Sequence, residues 1–361
     1  MAPYITKCMI LIIVSVFVTP QMQLIQAQQQ VPGMYLFGDS QFDNGNNNFL
    51  ITTSKTNYPP YGIDYPDGPT GRFSNGLTIP DGLALLLGFD RPISPFVAVR
   101  GSDINLRGVN YGSGGAGILK DSGILLGDRF TMDEQLQNHQ TIIRRITLLL
   151  GSNQTAVNEY LNKCLYVVNI GSNDYLNNYY LLVSTSRLLY SPDEFSRILI
   201  KKFSQQLRTL YNNGARKVAV FGVGLLGCLP QELANFPPNG TLCVDFINNG
   251  VQFFNMKLPP LIDTLNDLPN AEFTLINTTS ISLGDPSLAG IQVTNASCCP
   301  TVRSTGLCVP NRATCSNRDV YVFWDNFHPT DIVNRATARR AYSQLLRMDA
   351  YPVDIRTLLQ Q

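Results

Sequence analysis

Short apolar runs at residues 34–37, 109–111, 165–170, 217–221 and 272–276 alternate with longer amphipathic stretches at 81–87, 133–150, 192–211, 245–265 and 330–346. A brief run of apolar residues suits a strand buried on both faces, whereas the longer stretches carry apolar residues at helical spacing. Strand alternating with helix predicts an α/β chain whose parallel sheet is covered by helices on both sides. Within 245–265, Pro259 and Pro260 predict a kink or a split, because proline removes a helical hydrogen bond and clashes with the preceding turn. No repeat at a fixed period interrupts the pattern, and residues 28–30 are its one low-complexity tract.

Residues 1–27 read as a secretory leader: Lys7 supplies the positive start, 8–19 the apolar run and Ala27 a small residue for cleavage. That run is too short to span a bilayer, which takes roughly 20 apolar residues. The chain has 27 Lys and Arg against 26 Asp and Glu, so losing Lys7 leaves the remainder balanced. A balanced chain has no electrostatic footprint for nucleic acid or an anionic membrane. Residues 28–361 contain no Gly/Ser-rich or charged linker and are expected to form one domain.

Secretion sets the reading of the cysteines. Cys8 leaves with the leader, and Cys164 heads an apolar run that suits a free, buried thiol. Cys228 and Cys243 are expected to pair. Cys298, Cys299, Cys308 and Cys315 crowd one segment and read as disulfide partners, with a zinc site as the rival. Asn-x-Ser/Thr sequons at Asn153, Asn239, Asn277 and Asn295 agree with a secreted glycoprotein.

Chemistry-bearing residues fall where a parallel sheet gathers its sites, at the carboxyl ends of strands. Ser40 follows the first predicted strand, Gly114 and Gly115 the second, and Asn173 the third. A serine hydroxyl needs an adjacent base, and the base needs a partner to fix its tautomer. Asp325 and His328 are spaced so that the carboxylate reaches imidazole Nδ1 and leaves Nε2 for the serine. The other histidine, His139, falls in 133–150 and is read as solvated surface on the polar face. Each residue also has a plainer role. Ser40 and Asp43 to Asn48 are good turn chemistry, Asn173 suits an Asx-turn or cap, and Asp174 suits a cap or local hydrogen-bond partner. The stretch 112–117 matches Gly-x-Gly-x-x-Gly, but no helix opens after it and no βαβ unit with a well-placed acid follows, which argues against a dinucleotide cradle. No His/Asp/Glu cluster has metal-ligand spacing.

In chain order, Phe37-Gly38-Asp39-Ser40, Gly108-Val109-Asn110-Tyr111 through Gly115, Gly171-Ser172-Asn173-Asp174-Tyr175, Gly227-Cys228-Leu229-Pro230 and Phe323-Trp324-Asp325 to His328-Pro329 resemble the blocks of plant GDSL esterase/lipases, a branch of the SGNH hydrolases. The resemblance implies a flavodoxin-like three-layer α/β/α sandwich with Ser40 as nucleophile, His328 as base and Asp325 as its partner. It implies an oxyanion hole from the Ser40 backbone, a glycine of the second block and Asn173, with Gly115 favoured over Gly114. Gln41 stands where the family's name has leucine. No Gly-x-Ser-x-Gly elbow surrounds Ser40, which argues against the α/β-hydrolase fold. The expected activity is secreted, cofactor-free and metal-free hydrolysis of carboxylic esters. A lipid, a cutin precursor or an acylated cell-wall component would be the substrate. An extracellular acyltransferase and a non-enzymatic binding glycoprotein are the alternatives.

Overall fold

The computed structural model describes residues 29–99, 106–181, 183–238, 240–284, 287 and 290–361. The leader and Asn239 lie outside them. Four parallel strands, β1 (Met34–Gly38), β2 (Leu165–Asn169), β3 (Lys217–Phe221) and β4 (Glu272–Ile276), pair in sequence order. A two-residue strand near the C-terminus, Ala350–Tyr351, closes the β4 edge antiparallel.

The second predicted strand, 109–111, is no strand: Asn110 alone forms bridges, to Leu36 on one side and Pro95 on the other. Its backbone bonds are divided. Leu36 N donates to Val109 O and Tyr111 N to Leu36 O, while Asn110 itself exchanges bonds with the 94–96 segment on its other side. The segment still lies outside β1, so counting it second gives the order 2-1-3-4-5 of flavodoxin-like sheets. The chain runs outward from β1 to this segment and then crosses back to β2 on the other side of β1, so the switch point, where a cleft forms, lies between β1 and β2.

Alternation along each strand feeds two cores. Tyr35, Phe37, Tyr166, Val168, Val218 and Val220 point to the larger one, built with the helices Met132–Leu149, Gln154–Lys163, Pro192–Asn212, Asp245–Asn255 and Leu258–Asn266. Met34, Leu36, Leu165, Val167, Ala219 and Phe221 point to the other, covered by Ile79–Leu86 and Asp331–Tyr342. These are the three layers. Gly82 lets the two covering helices close up, since a Cβ there would come 2.7 Å from Ala338 Cβ.

The expected split of 245–265 occurs, with both prolines in the first turn of the second helix, where a missing N–H costs nothing. The last predicted helix stops at Tyr342 instead of 346. There Asp349 collects the Leu345 and Leu346 N–H groups and the Arg340 guanidinium, folding the chain back toward the sheet.

His139 is a correction. It is fully buried, spaced with Met132, Gln135, Leu136, Ile142 and Ile146 along the inward stripe of its helix. Tyr35, Phe37, Tyr111 and Tyr166 surround its ring, Tyr111 OH lies 3.1 Å from its Nδ1, and burial pushes its pKa down to about 3.

The cysteines pair as Cys228–Cys243, Cys298–Cys315 and Cys299–Cys308, which removes the zinc rival. Cys164 is a free, buried thiol whose pKa burial pushes up to about 12. Asn153 and Asn295 are exposed and Asn277 is half-buried. Among the described residues, no helix is long and apolar enough to cross a membrane.

Candidate active site

The turn that leaves β1 is built to present Ser40. Gln135 braces the strand end, its Oε1 accepting from Gly38 N and its Nε2 donating to Gly38 O at 2.9 and 2.8 Å. Phe42 N and Asp43 N then both donate to Asp39 O, closing one tight turn with Ser40 at its half-exposed crest. Asp39 points inward, and burial pushes its carboxyl up to about 7.

The far end of the chain comes to meet it. Ser40 Oγ lies 2.8 Å from His328 Nε2, and His328 Nδ1 lies 2.9 and 2.8 Å from the two Asp325 oxygens. Asp325 is completely buried and receives three further hydrogen bonds: Phe327 N and His328 N donate to Oδ1, and Tyr61 OH donates to Oδ2 at 2.6 Å. With that many donors the carboxylate is fixed in one orientation. Phe73 lies against the imidazole face at 4.7 Å between ring centroids. Pro329 pairs with Phe323, and Thr330 is the N-cap residue of the last helix. His328 is therefore held between a bridge and a helix start.

Three donors face the same cleft. Among the described residues, neither the Ser40 nor the Gly115 backbone N–H meets an acceptor. Gly114 N donates to Asp43 Oδ2 at 3.0 Å, so of the two glycines only Gly115 has a free N–H. The Asn173 amide is oriented by two bonds, with Nδ2 donating to Ala116 O and Oδ1 accepting from Asn177 Nδ2. One Nδ2 hydrogen remains for the cleft, which Ser40, Gly115, Asn173 and His328 all line. Such an array can take a proton from a serine and stabilise a developing oxyanion.

The match to known proteins spans this whole arrangement. A model of the GDSL-like lipase/acylhydrolase family fits residues 34–341, from β1 through the helix after His328. The chain belongs to that family. It is similar to a GDSL esterase/lipase of Arabidopsis thaliana at 45% identity over 368 residues, covering 100% of both chains. A second GDSL esterase/lipase from the same plant is 45% identical over 344 residues, covering 93% of this chain and 95% of the relative.

Several residues that build this GDSL site escaped the sequence reading. The 43–48 run does more than turn the chain. Asp43 holds Gly45 N, Asn46 N and Gly114 N, Asn46 Nδ2 donates to Asn110 O and Gly112 O, and Asn47 Nδ2 donates to Gly114 O. It is a clamp on the glycine loop. Gly114 is glycine for contact, since a Cβ would come 2.5 Å from Ser54 Oγ, and Gly115 for conformation, with φ +86°. Asp174 is neither the cap nor the local partner expected of it: it accepts from Ile118 N, Leu119 N and Ser122 Oγ, more than 50 residues away in sequence, and ties the two loops together. Gln41 lines the cleft and accepts from Asn169 Nδ2. Among the described residues, no group of three or more His, Cys, Asp or Glu could hold a metal ion.

Proposed function

We propose that the chain is a secreted serine esterase that cleaves carboxylic esters through an acyl-enzyme on Ser40. Family membership makes it an ester hydrolase, which sets aside the non-enzymatic alternative. The observation that carries the mechanism is the contact of Ser40 Oγ with an imidazole whose other nitrogen faces a buried, multiply bonded Asp325.

Ser40 Oγ attacks the ester carbonyl as its proton passes to His328 Nε2. Asp325 keeps Nδ1–H pointed at itself and stabilises the imidazolium without taking the proton. The former carbonyl oxygen becomes an oxyanion that the Ser40 N–H, Gly115 N–H and Asn173 Nδ2 receive. The intermediate collapses, His328 protonates the departing alcohol, and a water deprotonated by His328 then releases the acid and restores Ser40. The apolar walls of the cleft, Leu176, Leu226, Leu229 and Phe327 among them, suit the hydrocarbon part of an acyl or alkyl group. Three disulfides and the exposed sequons at Asn153 and Asn295 support secretion and glycosylation.

A fluorophosphonate probe should label the folded protein, and Ser40→Ala should remove the label while the fold survives. Labelling that persists in Ser40→Ala would exclude this mechanism. The fate of the acyl group separates hydrolysis from transfer: with glycerol or a hydroxy-fatty acid offered as acceptor, free acid should remain the main product. Predominant transfer at modest acceptor concentration would make the protein an acyltransferase.

A further inference from the structure

The cleft holds an acid that the acyl-transfer steps leave unused. Glu232 sits in the first turn of the short helix Pro230–Asn235, is 5% exposed, and lines the same cleft as Ser40 and His328. Its carboxylate meets no hydrogen-bond donor and no cation among the described residues. Burial by itself pushes its pKa up to about 7. An acid in a first turn ordinarily answers the helix N-terminus, but no side chain caps this one and Glu232 accepts no backbone N–H. A buried acid without a partner costs folding free energy, and such costs are retained where a site uses the group.

We propose that Glu232 is a specificity-determining residue that binds a hydroxyl group carried by the ester substrate. The inference rests on Ser40 being the acylated residue. Leu226 and Leu229, on the turn just before Glu232, line the cleft with it and would hold hydrocarbon beside that hydroxyl. Besides Asp39 and His328 at the serine end, the polar groups that share the cleft with Glu232 are uncharged amides and hydroxyls. Gln231 Nε2 occupies Asn235 Oδ1 and leaves the Asn235 amide as a donor, and Ser304 adds a hydroxyl. A hydroxyl both donates and accepts, so it can satisfy the carboxylate and one of these donors together. An ammonium only donates and would face the Asn235 amide unmatched.

The test uses the mature protein and two series of matched esters. One varies the acyl chain, with and without a hydroxyl at constant length, and the other varies the alcohol, a monoacyl glycerol against the propyl ester. The wild type should prefer the hydroxylated member of one series by about 10-fold in kcat/KM, because a site built to bond a hydroxyl rejects the analogue lacking it. The series in which this appears says whether the acyl or the alcohol arm reaches Glu232. Glu232→Leu should abolish the preference by lowering the hydroxylated substrate about 10-fold while leaving the plain one within about twofold. Glu232→Gln keeps the shape and one acceptor oxygen and should retain part of the preference, which covers the case in which the leucine variant does not fold. Equal kcat/KM for both members in both series, or equal losses in the variants, would overturn the proposal. Fluorophosphonate labelling run in parallel reports on Ser40: variants that label at the wild-type rate without a change in preference fail Glu232 alone, whereas an unlabelled wild type fails both readings.

Discussion

Asp325 and His328 differ in what their loss would leave behind. His328→Ala removes the cleft's imidazole, and His139 cannot replace it because it is sealed among aromatic rings in the core. Its activity should fall nearly as far as that of Ser40→Ala, since parts acting as a unit are not additive. Asp325→Asn keeps the imidazole but loses the charge, so kcat should fall severely yet less far. Near-normal steady-state rates in Asp325→Asn would reduce the array to a Ser-His pair. Asn173→Ala should lower kcat by about 10² to 10³ with a smaller change in KM, because its donor acts on charge that develops during reaction. An unchanged kcat would leave Asn173 with its loop contacts alone. Ser40, Asn173, Asp325 and His328 were legible in the sequence because each sits in a short local block after a predicted strand or before a predicted helix. Tyr61 was not. It reaches Asp325 across 264 residues of sequence while accepting from Cys308 N, and no local spacing encodes such a contact. The spacing of His139 with its apolar neighbours was readable, but the polar residues between them hid it.

Elements carry the site through their ends. Helix Ile79–Leu86 begins at Thr78, whose N–H and hydroxyl both donate to Asp81 Oδ2, and Arg72 meets Asp81 with two nitrogens at 2.8 and 2.9 Å. Burial opposes the charge on Asp81, but the Arg72 guanidinium wins and holds the carboxyl below its ordinary range. The adjoining Phe73 lies on the His328 ring, and the helix itself lies on Asp331–Tyr342, which starts just after His328. Arg72→Ala would strand a buried carboxylate, a change that costs about 3–5 kcal/mol. Urea denaturation at neutral pH should show that loss, and a cost below about 1 kcal/mol would mean that the pair is worth no more than a surface ion pair. Four of the five predicted strands were legible because each is a short, mainly apolar run buried in the sheet. Residues 109–111 set Val109 and Tyr111 on either side of Asn110, but their bonds are shared between β1 and 94–96, a division set by tertiary contacts and not by the run itself.

The molecule as a whole contains buried groups that pull its acid stability in opposite directions. Asp39 and Glu232, pushed up to about 7, and Asp43 and Asp174, pushed up to about 6, are raised chiefly by burial. Below those values the folded state takes protons that the unfolded chain refuses until about pH 4, so acidification through that window favours folding through these groups. His139 does the reverse. An unfolded imidazole protonates near 6.5, whereas the buried ring resists until about 3. Between those values the unfolded state binds the extra proton, and stability falls with pH by about 1.4 kcal/mol per unit. His139→Phe isolates this contribution. At pH 7.5 the variant should be the less stable protein, because Tyr111 OH loses the ring nitrogen 3.1 Å away. That penalty does not titrate, so lowering the pH from 6.5 toward 4 should narrow the gap in urea-unfolding free energy and then reverse it. Parallel wild-type and variant curves across that range would show that the ring is already charged in the folded protein, and the aromatic cage around His139 would have to be redrawn.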